Sequence, residues 1–431
     1  MDILSIGILL FSFLLLLAIG MPVAWSIIIS SLFTLLVSVP FIPGLTTIAQ
    51  RMATGIDSFA LLAIPFFILS GELMNRGGVA KRLIAFAKAL VGSLPGGLAL
   101  INIISAMLMG SVAGSAMASA SAMGSILGPE MEKEGYSKGF GVAVNITSAT
   151  TGLVIPPSNI LIVYSLASGG ASIAALFLAG YIPGILTGLF LMIVAMIWAK
   201  KNNIPTRKRA PLSKVFSTFI DALPSLMLLV VVIGGIVSGI FTATEASAIA
   251  VIYTLILGFI YKEINHKNLS GILLKASSTT AIVMFLIGAS MSMSWVLSFE
   301  NIPELISSGI MSISDNKIVI LLLINLTLLF IGIFMDMTPA VLIFTPIFLP
   351  VVAELGIDPI HFGIIMILNL CIGLCTPPVG SVLFVGVGVA NTSIQKVLKP
   401  LVPLFIAMVV ALTLVTYIPT LSLWLPSLFN L

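Results

Sequence analysis

The sequence predicts an all-α polytopic membrane protein made of two inverted-topology repeats, each carrying a re-entrant helical hairpin and a discontinuous helix. Three observations carry that expectation. Apolar residues make up 59% of the 431 residues and charged residues only 8%, against about a quarter in a typical soluble domain. With a mean hydropathy of +1.24, too few polar side chains exist to cover a water-facing surface. The apolar stretches also match the length of membrane-crossing helices, about 20 residues for a hydrocarbon core roughly 30 Å thick. Finally, the chain has two Pro-Pro pairs, Pro156-Pro157 and Pro377-Pro378, 221 residues apart.

From the N-terminus, spans are expected at 3–19, 23–39 and 57–75. The first lacks a basic leading region and runs straight into the second, so it reads as a spanning helix rather than a cleaved signal. Residues 77–92 combine Lys81, Arg82 and Lys88 with Leu83, Ile84, Phe86 and Leu90, the pattern of an amphipathic helix in the cytoplasmic interface. The stretch 98–129 is too long for one crossing and has Gly110, Gly114 and Ser115 at its centre. Split there, arms of about 13 residues reach only about 20 Å, which suits a re-entrant hairpin. A broken span at 140–165 and a further span at 175–198 complete the first half.

The second half repeats this order. Spans are expected at 216–238, 243–261 and 276–298, then a weaker amphipathic segment at 301–316. A hairpin at 318–350 is split at Asp336, Thr338 and Pro339, and a broken span at 362–390 and a last span at 401–425 follow. At the 221-residue offset Pro129 meets Pro350, Gly135 meets Gly356, Gly152 meets Gly373 and Ser115 meets Asp336. Each half has an odd number of crossings, so the second is inverted. The divisions are 1–200, a cytoplasmic linker at 201–214, and 215–431. With the N-terminus outside, seventeen Lys and Arg fall inside and only Arg51 and Lys317 outside, a strong positive-inside bias.

Composition excludes several functions. Two His and two Cys give no basis for a zinc cluster or disulfide scaffold. No phosphate-binding GxxxxGK[ST] occurs, so this chain is not expected to hydrolyse ATP. The basic residues orient helices and do not indicate nucleic acid. Gly288-Ala289-Ser290-Met291 has the form of an intramembrane serine protease motif, with His361 as an imaginable base, but four-residue matches are common in Gly/Ser-rich membrane chains. A channel seldom needs paired hairpins and inverted broken helices. That conjunction marks secondary transporters, whose sites lie where the helices break.

The breaks carry the candidate chemistry. Proline lacks an N–H, so Pro156 and Pro157 leave the carbonyls of Gly152 and Leu153 unpaired, and Pro377 and Pro378 those of Gly373 and Leu374. In hydrocarbon such oxygens need another partner. A dehydrated Na⁺ would serve, helped by Thr150, Thr151, Ser158 and Asn159 in one half and Thr376 and Ser381 in the other; a plain kink satisfied by water or neighbouring hydroxyls is the alternative. Ser111, Ser115 and Ser119 recur every four residues and share one helical face, although Gly110–Gly114 is also a small-residue packing motif. Asp336, inside a long apolar run, is the sharpest single residue, because a buried carboxylate there is costly and usually functional. It also suits the N-cap of the arm that starts at Pro339. Cys371 and Cys375 read as packing residues.

At this point the chain resembles the large membrane subunit of tripartite ATP-independent periplasmic (TRAP) transporters. The likeness covers essentially the whole chain. It rests on Gly20-Met21-Pro22-Val23-Ala24, Ile64-Pro65-Phe66-Phe67 with Gly71-Glu72-Leu73-Met74, and Gly110-Ser111-Val112-Ala113-Gly114-Ser115. It continues through Ile155-Pro156-Pro157-Ser158-Asn159, Asp336 with Pro339, and Thr376-Pro377-Pro378-Val379-Gly380.

The resemblance implies a Na⁺-coupled importer of the bacterial inner membrane with an elevator-type motion and no cofactor besides the coupling ion. It implies two partners, a small four-helix membrane subunit and a periplasmic substrate-binding protein. It also implies a carboxylate substrate, a C4-dicarboxylate, sialic acid or other sugar acid. One Na⁺ site is implied at Gly110, Ser111, Ser115, Thr151, Gly152 and Pro156. A second is implied at Gly332, Asp336, Thr338, Gly373 and Thr376. Substrate is expected between the tips, near Ser115, Ser119, Ser158, Asn159, Asp336 and Gly380. With no interior Arg to hold a carboxylate, half-helix N-termini and bound Na⁺ are expected to do so. An H⁺-coupled carrier of the same architecture, working without a binding protein, stays open because Asp336 can in principle carry a proton.

Overall fold

The computed structural model describes residues 2–206, 209–314 and 316–431; Arg207 and Lys208, two of the charges counted inside, lie outside the described residues. Among the described residues the chain is helical throughout, without strands. The first half comprises α1 (Asp2–Ala18), α2 (Val23–Leu35), α3 (Phe41–Gly55), α4 (Ala63–Arg76), α5 (Val79–Val91), α6 (Gly97–Ala113), α7 (Ala116–Lys133), α8 (Lys138–Thr151), α9 (Asn159–Ala167) and α10 (Ile173–Lys201). The second comprises α11 (Leu212–Val237), α12 (Ala243–Ile260), α13 (His266–Phe299), α14 (Ile302–Ile313), α15 (Lys317–Phe334), α16 (Met337–Glu354), α17 (Pro359–Gly373), α18 (Ser381–Val389), α19 (Ile394–Tyr417) and α20 (Thr420–Ser427). Among the described residues eight helical segments are long and apolar enough to cross a membrane.

Both hairpins double back. In the first, the Ser119 hydroxyl of α7 donates to the Ala106 carbonyl of α6 at 2.9 Å, and Asn102 near the start of α6 contacts Met131 near the end of α7. In the second, Asn325 of α15 meets Asn369 of α17, while Thr345 of α16 meets Met366. Thus α15 runs with α17 and α16 against it. The arms are longer than expected, 17 and 18 residues in the first hairpin and 18 in each arm of the second. At 1.5 Å per residue that is about 25–27 Å, so re-entry is a matter of the chain's return and not of short arms.

The broken helices run antiparallel to one another. Tyr164 of α9 donates its hydroxyl to the Pro359 carbonyl at the start of α17 (2.6 Å), and Gly363 lies flat against the Tyr164 ring. At the other end, Gly386 of α18 packs on Ile146 and Val142 of α8. Between these ends the Cys371 thiol donates to the Thr150 carbonyl at 3.1 Å. Those two residues are 221 apart, the same offset as the two Pro-Pro pairs.

Three expectations change. Residues 41–55, left without an element by the sequence reading, form α3, whose Gly55 sits on Met291 and whose Arg51 stacks on Trp295 at 4.8 Å. The span expected at 276–298 begins ten residues earlier, at His266, capped by Asn265. The last span stops at Tyr417, and a separate short helix, α20, follows. The amphipathic α5 is held by ion pairs of Lys81 with Glu263, Arg82 with Asp221 and Lys88 with Glu130.

Candidate functional site

The two hairpin tips meet the two breaks through glycine. Gly110 of α6 lies on Ala149 and Gly152, where an added Cβ would stand 2.9 Å from the Ala149 carbonyl oxygen and 3.0 Å from the Gly152 Cα. Gly332 of α15 lies on Gly373 in the same manner; a Cβ on Gly373 would stand 2.5 Å from the Gly332 Cα. Only glycine permits such backbone contact. Each hairpin is therefore seated on its break by an unbranched pair, and the arrangement occurs once in each half.

At the tips, α6 ends on Gly114 in the left-handed region, φ +59°, and Ser115 caps α7 by accepting the Ala118 N–H at 3.2 Å. A Cβ on Gly114 would collide with the Asn159 amide, so the first tip and the start of α9 are in contact. Asp336 occupies the N-cap position of α16 without the capping bond to the second or third residue of the helix, and its side chain is exposed. Of the residues expected at the two ion sites, Gly110 and Gly152 meet at one contact and Gly332 and Gly373 at the other, where Thr376 N–H takes the Gly373 carbonyl; Ser111 and Thr151 neighbour the first contact in sequence, Ser115 stands at the first tip, Pro156 lies against Gly180, and Asp336 and Thr338 stand at the second tip.

The breaks differ from the expected row of open carbonyls. Leaving α8, the chain tightens into successive three-residue turns. Leu153 N–H bonds to Thr150 O, Val154 to Thr151 O and Ile155 to Gly152 O. In the second half Thr376 N–H takes the Gly373 carbonyl at 2.9 Å and Val382 N–H takes that of Leu374 at 3.2 Å. The carbonyls of Gly152, Gly373 and Leu374 are therefore already satisfied, while no described group donates to that of Leu153. Thr151 and Thr376 return their hydroxyls to Thr147 O and Ile372 O. Both Pro-Pro bonds are cis. The Ser158 hydroxyl, fully buried, has no partner among the described residues.

A cavity of about 600 Å³ lies between the tips and the walls formed by α4 and α13. Gly114, Ser115, Asn159, Asp336 and Thr338 line it. Ser111, Ser119, Ser158 and Gly380 do not. Ser119 is a correction: fully buried, it ties the two hairpin arms together. Gly380 is another, a left-handed turn residue whose N–H bonds the Ile333 carbonyl and so fastens the break to α15. Ser111 donates to Leu108 O within its own helix.

Four polar lining residues escaped the sequence reading: Glu72 and Asn75 on α4, and Lys275 and Thr279 on α13. Glu72 was legible, since an ionisable residue inside a predicted span is a site candidate by default. Lys275 was not, because the span was begun one residue after it. His361 is fully engaged, its ring nitrogens 3.2 Å from Ser422 Oγ and 3.3 Å from Thr416 O; it does not bond Ser290, which removes the protease arrangement. Cys371 and Cys375 are buried, with thiols on the Thr150 and Ile146 carbonyls.

Two seated hairpins, antiparallel broken helices and a shared central cavity form the architecture in which secondary transporters place their sites. The fold agrees with the Alcanivorax borkumensis YdaH transporter, whose structure superposes with a TM-score of 0.66 at 13% identity over 89% of each chain. The family model described as "Tripartite ATP-independent periplasmic transporter, DctM component" matches residues 10–421, and the chain belongs to that family. It is 56% identical to the protein YgiK of Salmonella typhimurium over 97% of this chain and 96% of that one. It is 37% identical to the C4-dicarboxylate TRAP transporter large permease protein DctM of Rhodobacter capsulatus over 96% of each.

Proposed function

We propose that this chain is the translocating subunit of a Na⁺-coupled importer of a carboxylate, a C4-dicarboxylate, sialic acid or other sugar acid, in the bacterial inner membrane with its N-terminus periplasmic. A periplasmic binding protein delivers the substrate, and a small four-helix membrane subunit completes the assembly. The two repeats, 1–200 and 215–431, move their hairpins as an elevator. The observation that carries this reading is the pair of glycine-seated breaks beside tips that open on one cavity. One Na⁺ is held at each contact: by Ser115, the Leu153 carbonyl and neighbouring oxygens in the first half, and by Asp336 and Thr338 with oxygens of the break after Gly373 in the second. Carboxylate and hydroxyl oxygens are the ligands a hard monovalent cation takes, and half-helix N-termini at Ser115 and Asp336 favour an anion beside it.

Proteoliposomes holding both membrane subunits and the binding protein test it, with succinate and N-acetylneuraminate as probes and Na⁺ and pH gradients imposed separately. Uptake is expected only with inward Na⁺, and Asp336→Asn abolishes it. Uptake driven by a pH gradient without Na⁺ defeats the coupling in favour of H⁺; uptake without the binding protein defeats the tripartite reading.

A further inference from the structure

The cavity does not end at the tips. On α4 the residues facing it change from Ile64 and Ile68 to Glu72 and Asn75; on α13 they change from Val283 and Ile282 to Thr279 and Lys275. The two helices run in opposite directions with these ends together, since Arg76 at the end of α4 lies 3.8 Å from the Cβ position of Gly271 near the start of α13. Both walls thus pass from apolar to polar toward the same mouth. Of the charged side chains lining the cavity, Asp336 stands at the tips and Glu72 and Lys275 at the mouth.

Lys275 is the cation of this lining, and it is exposed and makes no ion pair among the described residues. Glu72 makes none among the described residues either, so the two lie farther apart than a salt bridge, and the carboxylate weakens the field of the ammonium without neutralising it. An anion beside Asp336 is repelled as soon as the cation that neutralises that carboxylate departs. The attractive fixed charge along its route is then Lys275.

We propose that Lys275 forms a second anion station at the polar mouth of the cavity, which receives the carboxylate group of a substrate leaving the tips, while Glu72 across the mouth keeps that station weak. The proposal rests on the carrier reading above and adds a site to it. A pathway site must hold a charged solute well enough to accept it and loosely enough to release it, and a free ammonium opposed by an unpaired carboxylate meets both conditions. The wall helices, not the hairpins, carry the station, so the solute changes hands between different parts of the molecule.

The test uses the chain's own cysteine content. Cys371 and Cys375 are its two cysteines, and both are fully buried. Thr279→Cys therefore places a reactive thiol one helical turn from Lys275 in the full chain, in inverted membrane vesicles. Its modification rates by an anionic (sulfonatoethyl) and a cationic (trimethylammonioethyl) methanethiosulfonate report the local potential. Adding Lys275→Gln should lower the anionic-to-cationic rate ratio by about threefold or more, Lys275→Arg should restore it, and Glu72→Gln should raise it, since one fixed charge in a cleft changes local ion concentration by such factors. Succinate should slow modification with Lys275 present and not with Lys275→Gln.

A ratio unmoved by Lys275→Gln, or succinate protection that survives it, overturns the station. Either result leaves Na⁺-driven uptake untouched, so failure here is distinct from failure of the carrier reading.

Discussion

A methyl group added at Gly373 meets the Cα and carbonyl carbon of Gly332 at 2.5 and 2.6 Å, and backbone cannot swing aside as a side chain can. Overpacking of this kind costs about 1–3 kcal/mol. Gly373→Ala is expected to lower the melting temperature of the detergent-solubilised chain, measured by scanning fluorimetry. Gly388→Ala, in open space on the following helix, should leave it unchanged or slightly raised; equal effects at the two sites would refute the seating role. Asn369 makes a parallel case. Its amide donates to the Asn325 carbonyl at 3.0 Å and to the Asn325 side chain at 2.7 Å, and Asn325 passes the chain of bonds to Thr416. Asn369→Leu strands these buried acceptors and should cost about 1–3 kcal/mol, read from the same melts. These two residues differ in legibility. Gly373 was marked by its place before a Pro-Pro pair, whereas nothing local in the sequence says that Asn369 faces Asn325 rather than lipid.

Among the elements, α5 shows how an arm is fastened. Lys81 and Lys88 make pairs that solvent reaches, with Lys81 71% exposed, and such pairs contribute about 0–1 kcal/mol. Arg82 is different, because it bonds Asp221 and the Gly78 carbonyl while stacking on Tyr261 at 3.4 Å from the ring centre. Cation–aromatic stacking is worth about 0.5–2 kcal/mol. Melts should therefore rank Arg82→Ala well below wild type and Lys81→Ala close to it; the reverse order would mean that exposed pairs, not the stack, hold the arm. The charged and apolar positions of α5 alternate at helical spacing, so its existence was readable. The helix α3 was not, since Pro43, Gly44 and the polar residues Thr46, Thr47, Gln50 and Arg51 dilute its hydropathy, and its apolar face becomes meaningful only against α13.

At the scale of the whole molecule, orientation is the testable property. Charge counting puts the linker inside and α3 outside. Because the native cysteines are buried, Asn202→Cys in the linker should be labelled by a membrane-impermeant maleimide in inverted vesicles only, and Gln50→Cys on α3 in right-side-out cells only. Labelling of both from one side would overturn the inverted arrangement.

By itself, the sequence determined the membrane class, the places where the helices break, and the family. Hydropathy over a window, the missing N–H of proline and the recurrence of a motif are local or periodic properties, so they can be read without coordinates. The tertiary structure alone decided which carbonyls of the breaks stay open, that Ser119 and Gly380 hold the hairpins rather than line the cavity, and that Glu72, Asn75, Thr279 and Lys275 do line it. Each of those depends on what a neighbouring helix, often some two hundred residues away in the chain, presents to the same point in space. Long-range packing sets that meeting, and no pattern along a single strand of sequence encodes it.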